Sequence, residues 1–210
     1  MPKVSEAHLT QRRQQIMAAA LACFSRQGFH RTTMQDIVKE SGLSAGAFYT
    51  YFASKEAIVV ALAEEHHRTE AAALAGADTA TDSVDALTTL AQVSLGRLDN
   101  AEERQWRRVT VQLWAEALRD PHIMEVTRSG LDGPLEVLTD VIARGQREGT
   151  LPPGPDPGAT ARVCAAIFQG LVLQQAWEPE LDVSSYIEAV LAVLAGLATA
   201  AAGAQSVTTG

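Results

Sequence analysis

The chain has 210 residues, 47% of them hydrophobic and 20% charged, with a formal net charge of −8. That is enough apolar mass to bury a core as one long domain or two short ones, and it argues against wholesale disorder. Only two cysteines occur, Cys23 and Cys164. They exclude a disulfide-dense scaffold and a cysteine-only zinc site, and both read as reduced core thiols.

In chain order, helical spacing recurs and alternating strand patterns do not. A first helix over 10–27 puts Ile16, Ala20, Cys23 and Phe24 on one face and stops near Gly28, a C′ glycine. A second over 34–41 is capped by Thr33, with Asp36 three residues on in a capping-box arrangement. Gly42-Leu43-Ser44 is a turn, and Ser44 caps a third helix, 45–52. Ser54 caps a fourth that runs to about Gly76, and Asp82 caps a fifth that runs to about Leu98. The sixth, 101–119, carries Trp106, Val109, Thr110, Leu113, Trp114 and Ala117 in one stripe. The seventh, 121–148, is expected to kink or split at Gly130, Gly133 and Pro134. GTLPPGPDPG at 149–158 is the clearest loop. An eighth helix follows over 159–177. Ser185 and Glu188 begin a ninth that lasts to about Ala202, and 203–210 is a frayed tail. The fold class is therefore all-α, with about nine helices.

The charge is uneven along this plan. Residues 1–55 carry a net +4 and the rest −12. A basic unit joined to an acidic one is a sign of nucleic-acid contact at one end. No apolar h-region opens the chain, and the longest uncharged apolar stretch, 189–204, is too short and too alanine-rich to span a membrane. A cytoplasmic protein is expected.

Residues 33–52 read as two helices around a three-residue turn, the arrangement that lays its second helix in the DNA major groove. Ile16, Ala20, Phe24, Ile37, Val38 and Leu43 supply a small core, and Phe48 and Phe52 bring the third helix onto it. That leaves Ala45, Gly46, Tyr49 and Thr50 on the opposite face. Small residues allow close approach to DNA. Tyr49 offers a ring and a hydroxyl, and Thr50 offers a methyl for a thymine methyl. Thr33, Tyr51 and Lys55 are placed as phosphate contacts, with Arg31 beside them. A half-buried core aromatic is a serious competing role for Tyr51.

The run AAALACFSRQGFHRTTMQDIVKESGLSAGAFYTYFASKEAIVVAL, within 13–62, resembles the N-terminal domain of the tetracycline-repressor (TetR) family of transcriptional regulators. The shared features are the AA…F…G…TT opening, the I…SG.S.G..Y.YF core and the SKE start of the fourth helix. The resemblance implies that Thr33, Ser44, Ala45, Gly46, Ala47, Tyr49, Thr50, Tyr51 and Lys55 touch DNA. Ala45 departs from the family, many of whose members carry lysine there. The phrases VQLWAEALRDP and FQGLVLQQAWEP are similar to the BetI-like subgroup.

The resemblance further implies an all-helical homodimer, with residues 1–55 binding an operator duplex and 56–202 binding a small effector and forming the dimer. The helices at 159–177 and 185–202, apolar nearly all round, suit burial against a second subunit, and Gly170 and Gly196 would allow close approach. Ligand candidates are Trp106, Gln112, Trp114, Met124, Phe168 and Gln169, although an aromatic stripe at helical spacing equally builds plain core.

His66 and His67, adjacent rather than i and i+4, read as a solvated helix face and not a metal motif. No catalytic residue, metal or cofactor is expected, and no enzyme. The expected function is a ligand-released repressor on a palindromic operator. The alternatives are a small-molecule-binding helical protein without operator binding, and an activator of the same family.

Overall fold

The computed structural model describes residues 6–74, 83–98, 100, 103–151, 153–182, 185, 186, 188–190 and 192. Among the described residues there is no strand, so the fold is all-α. Residues 185, 186, 188–190 and 192 are helical, and eight further helices with defined bounds precede them. They are α1 Glu6–Gln27, α2 Met34–Ser41, α3 Ala45–Tyr49, α4 Lys55–Leu74, α5 Ser83–Leu98, α6 Glu103–Ala117, α7 Pro121–Glu148 and α8 Pro157–Trp177. The expected cap Asp82, most of the expected ninth helix and the tail 203–210 lie outside the described residues.

The chain packs as two compact units. The first comprises the described residues to His67 together with Gln105–Arg128, and the second comprises Arg68–Arg104 and the residues from Ser129 on.

In the first unit the apolar spacing of α1 does what its period requires. Ile16, Ala20, Cys23 and Phe24 are all fully buried. The helix stops where Gly28 turns left-handed at φ 88° and its N–H donates to the Phe24 carbonyl at 2.9 Å. Ile37, Phe48 and Phe52 join the same core, with Val38 and Leu43 half-buried against it. The core is larger than residues 16–52 supply. Ile58 and Val59 of α4, and Trp106, Val109 and Leu113 of α6, complete it.

The third helix ends at Tyr49 rather than at residue 52. The Thr50 hydroxyl donates back to the Ala47 carbonyl at 2.6 Å. The chain then turns with Tyr51 N–H on the Phe48 carbonyl at 3.0 Å, which still delivers Phe52 to the core. Ser54 caps α4 as expected, accepting from Ala57 N–H at 3.2 Å.

In the second unit Leu74, Ala86, Leu90 and Val141 form one buried cluster, and Leu135, Ile142 and Ala161 form another. The expected split of α7 does not occur. The helix runs through Pro134 for 28 residues. Proline removes one intrahelical hydrogen bond at a cost of about 3 kcal/mol. Leu131 before it and Leu135, Leu138, Val141 and Ile142 after it are all packed, and that burial on both sides offsets the lost bond so that the helix stays continuous.

Beyond α7, Gly149 turns at φ 76°, and Leu151 N–H donates to the Gly145 carbonyl at 3.0 Å. Asp156 then caps α8, accepting from Ala159 N–H at 2.8 Å, with Pro157 opening the helix. On α8, Ala161, Leu171 and Val172 are buried, but Val163 is 52% and Trp177 70% exposed.

The close return of the loop explains Gly145. A Cβ there would lie 2.7 Å from the Leu151 side chain and 2.9 Å from Cβ of buried Ser83. Glycine to alanine inside a helix ordinarily stabilises by about 0.5–1 kcal/mol. Here overpacking wins, and Gly145→Ala is expected to destabilise by about 1–3 kcal/mol, read as a lower urea midpoint. An unchanged or raised midpoint would mean that the 149–151 loop yields without cost.

Candidate nucleic-acid interface

Helices α2 and α3 and the turn between them are fixed by their ends. Thr33 sits in extended geometry, and its hydroxyl oxygen accepts the Asp36 N–H at 3.2 Å. The Asp36 carboxylate accepts the Thr33 N–H at 2.9 Å and the Thr33 hydroxyl at 2.7 Å. This is the reciprocal box that the sequence spacing predicts. Those two bonds from Thr33, the backbone one first, hold the Asp36 carboxyl below its ordinary range. A phosphate approaching Thr33 therefore meets a carboxylate already bonded there. Gly42 ends α2 in the left-handed region at φ 67°, and Ser44 accepts the Ala47 N–H at 3.4 Å to open α3.

The two faces of α3 then separate cleanly. Phe48 is fully buried, and Phe52 follows it into the core. Ser44, Ala45, Gly46, Ala47, Tyr49 and Thr50 are all exposed, Tyr49 by 49%. A Cβ at Gly46 would meet nothing within 4 Å, so internal packing does not require glycine at that position. Apart from Tyr49 the surface is bare of bulk, at Gly46 without any internal reason to be. Tyr51 is half-buried against the core, as the competing reading of that residue held.

Lys55 lies half-buried rather than reaching outward. Its ammonium donates to the Phe29 carbonyl at 2.9 Å and to the Thr32 carbonyl at 3.4 Å. It also stands 4.2 Å from the centre of the Phe29 ring. The same peptide is held from its other end, because Phe29 N–H donates to Oε1 of Gln112 at 2.8 Å. His30 meets Glu116, one turn along α6, at 2.9 Å.

Sequence reasoning missed two further ties. Gln15 donates to the Ser41 carbonyl at 2.7 Å, and the Arg13 guanidinium lies 4.6 Å over the Phe52 ring. Both are long polar side chains bordering an apolar stripe, which pattern alone reads as ordinary surface. Arg26 pairs with Glu40 at 2.9 Å beside a polar surface groove of about 400 Å³ lined by Arg26, Gln27, Asp36, Lys39 and Glu40.

Of the ligand candidates, Trp106, Gln112, Trp114 and Met124 belong to the first unit, and Phe168 and Gln169 to the second. Trp106 is buried with its ring 4.5 Å from that of His66. Gln112 spends its amide on backbone, Oε1 on Phe29 and Nε2 on the Arg108 carbonyl at 3.1 Å. Trp114, Met124, Phe168 and Gln169 are half-buried. The hydroxyl of Thr110, midway between the two tryptophans on α6, is buried without a hydrogen-bond partner. The solvated face expected for His66 and His67 is corrected. Both are half-buried, and burial pushes the His67 pKa down. Burial likewise raises the thiol pKa of Cys23 and Cys164, both free.

Comparison with known proteins bears on this arrangement. Residues 16–62 match the family described as bacterial regulatory proteins, tetR family, and residues 84–199 match the BetI-type transcriptional repressor C-terminal family. UidR of Escherichia coli K12, an HTH-type transcriptional regulator, is 23% identical over 192 residues, covering 90% of this chain and 93% of that protein. The HTH-type transcriptional repressor Rv1474c of Mycobacterium tuberculosis is 43% identical over 65 residues. The match spans 35% of that relative, and 27% of a second one that it meets over 55 residues. The structure of Salmonella enterica GusR superposes with a TM-score of 0.76 at 25% identity, over 94% of this chain and 100% of that one. The BetI-type match alone covers more than half of the chain, so the protein belongs to the TetR family of helix-turn-helix transcriptional regulators and is not an enzyme.

The capping box generates a pH prediction. Asp36 has a depressed pKa in the folded state, so its contribution is present above the unfolded carboxylate value of about 3.9 and is lost as pH falls through the folded one. Asp36→Asn should unfold at lower urea than the parent at neutral pH. The gap should close as the pH is taken below about 4. A gap that persists unchanged in acid would mean that the carboxylate charge is not what holds Thr33.

Proposed function

We propose that this TetR-family regulator represses transcription by binding a palindromic operator as a dimer, and that a small, partly apolar effector releases it. Residues 1–55 would read the DNA, 56–202 would bind effector and form the dimer, and the setting would be the cytoplasm. The observation that carries the DNA reading is the exposed face of Ser44, Ala45, Gly46, Ala47, Tyr49 and Thr50, small apart from Tyr49 and, at Gly46, small where the fold does not need it. Thr33 and Tyr51 border that face, and Lys55 stands behind its edge.

The partly uncovered apolar surface of α8, Val163 above all, supports burial against a second subunit. A two-fold dimer doubles the contacts on half-sites one helical turn apart, or a multiple of it. Two relatives, Rv1474c and AcnR of Corynebacterium diphtheriae, are named repressors, which favours repression over activation. Trp114 and Met124 in the first unit, and separately Phe168 and Gln169 in the second, remain the candidates for effector contact. No helix among the described residues is long and apolar enough to cross a membrane.

The test begins with selection of duplexes from a random library by the purified full-length protein. Anisotropy follows on the selected and a scrambled duplex at about 50 and 200 mM salt. Strong preference for the selected duplex, with an inverted repeat in its sequence, is expected. Tyr49→Ala should weaken that complex by about 1–3 kcal/mol, roughly ten- to a hundredfold. Its thermal stability should not change, because the ring is half exposed. Enrichment of no sequence at low salt would turn the reading to a small-molecule-binding protein without an operator.

A further inference from the structure

The turn that connects α1 to α2 is held more tightly than a loop between helices needs to be, and the grip comes from distant parts of the chain. Gly28 N–H is spent on the Phe24 carbonyl, and the Gly28 carbonyl takes both the N–H of Thr32 at 3.2 Å and its hydroxyl at 2.7 Å. Phe29 is buried, so its own peptide groups have no water to fall back on. Its N–H goes to Gln112, 83 residues later on α6, at 2.8 Å, and its carbonyl goes to the Lys55 ammonium, 26 residues later on α4, at 2.9 Å. Further along, the Thr32 carbonyl is also on Lys55 and the Thr33 N–H is on Asp36. Gln112 and Lys55 therefore close on the two ends of one stretch of backbone, and that backbone runs directly into the N-cap of α2.

An ammonium has three N–H donors. Two of those on Lys55 lie on carbonyls, and its charge also faces the Phe29 ring at 4.2 Å. Gln112 is similarly committed, because its oxygen accepts from Phe29 and its nitrogen donates to the Arg108 carbonyl and, at 3.5 Å, to that of Phe24. Lys55 is thus poorly arranged as an outward phosphate contact, and Gln112 as an effector contact.

We propose that Gln112 and Lys55 are positioning residues for DNA recognition, a clamp on the Phe29 peptide that sets Thr33 and the helix-turn-helix against α4 and α6. This rests on the DNA-binding reading above. The clamp acts on where the recognition surface is held, not on how much charge it presents. It should therefore govern discrimination between sequences and leave the salt dependence alone.

Three variants of the full-length protein test it. Lys55→Met keeps the alkyl stem and removes the ammonium. Gln112→Met removes both amide groups. Gln112→Glu restores an acceptor for Phe29 N–H. Each is compared with the parent on the duplex selected by the parent and on its scramble. Titrations are run at several salt concentrations, at a temperature where circular dichroism finds every variant folded. Losing the partner of a buried peptide group should weaken the selected complex about tenfold in Lys55→Met and in Gln112→Met. Binding to the scramble should change by less than about threefold, with the slope of log K against log salt unchanged. Gln112→Glu should recover most of the loss.

A Lys55→Met variant that loses about one unit of salt slope and weakens on both duplexes alike would make Lys55 a phosphate contact and overturn its place in the clamp. Folded Gln112→Met with the parent's affinity and preference would overturn the role of Gln112. A parent protein that enriches no duplex would overturn the DNA reading itself, and the clamp with it.

Discussion

A helix of five residues gains too little from its own hydrogen bonds to stand alone. Residues 45–49 are helical because something outside them holds them so. The hold is the burial of Phe48 and Phe52, each worth about 1.5–3 kcal/mol when taken from water. That burial needs a finished core to receive it. Ile16, Ala20 and Phe24 provide one wall and Ile37 another, but Ile58 and Val59 from α4 and Val109 and Leu113 from α6 close it. The surface proposed to read DNA thus depends on residues more than fifty positions downstream. Its outward side can afford to be small and bare because its inward side carries the stability.

The same dependence explains the polar wiring behind it. Reading base edges needs side chains placed to within about 0.5 Å. A short helix at the end of a turn keeps that tolerance only if the turn has no play. Capping at Thr33 and Ser44 fixes the two helices locally. The bonds from Gln15 to Ser41, from Lys55 to Phe29 and Thr32, and from Gln112 to Phe29 fix them to their neighbours. Buried backbone groups are costly to leave unmatched. Each of these side chains therefore specifies one arrangement of the turn rather than merely favouring it.

Much of this was legible in advance, and the reasons differ by feature. The all-α class, the capping box at Thr33, the Gly28 stop, and the inward Phe48 and Phe52 against the outward Tyr49 all follow from periodicity and from what small polar side chains do at helix ends. What failed was non-local. The spacing predicts α3 to residue 52 because the apolar register of Phe48 and Phe52 persists after the helical hydrogen bonds have given way to a turn. Proline at 134 reads locally as a kink or a split, and the split does not occur because packing on both sides keeps the helix continuous. The solvated reading of His66 missed Trp106, forty residues away, against which its ring lies. Gln112 looked like a polar group aimed into a pocket because spacing says which face a residue occupies and not which distant backbone it meets.

Charge deserves the same treatment by place rather than by total. The net −12 of the residues after 55 does not by itself forbid DNA at residues 1–55, although Glu116 stands 2.9 Å from His30, because exposed charges more than about 8–10 Å apart are largely screened in physiological salt. The cations behind the +4 of residues 1–55 are, however, partly engaged by the protein itself. Of the seven cations there, Lys55 faces carbonyls, Arg26 pairs with Glu40 at the surface and Arg13 lies over the Phe52 ring. Ala45 adds no cation to the exposed face. Under the proposed DNA reading, a surface so composed would draw less on point charges than on close backbone approach, hydroxyls and shape, the contacts that fix register and read sequence. Such contacts are individually modest. In the proposed dimer the same economy of charge would make two-fold repetition valuable, because a second identical half-site would add a whole set of contacts without demanding more cations from either copy.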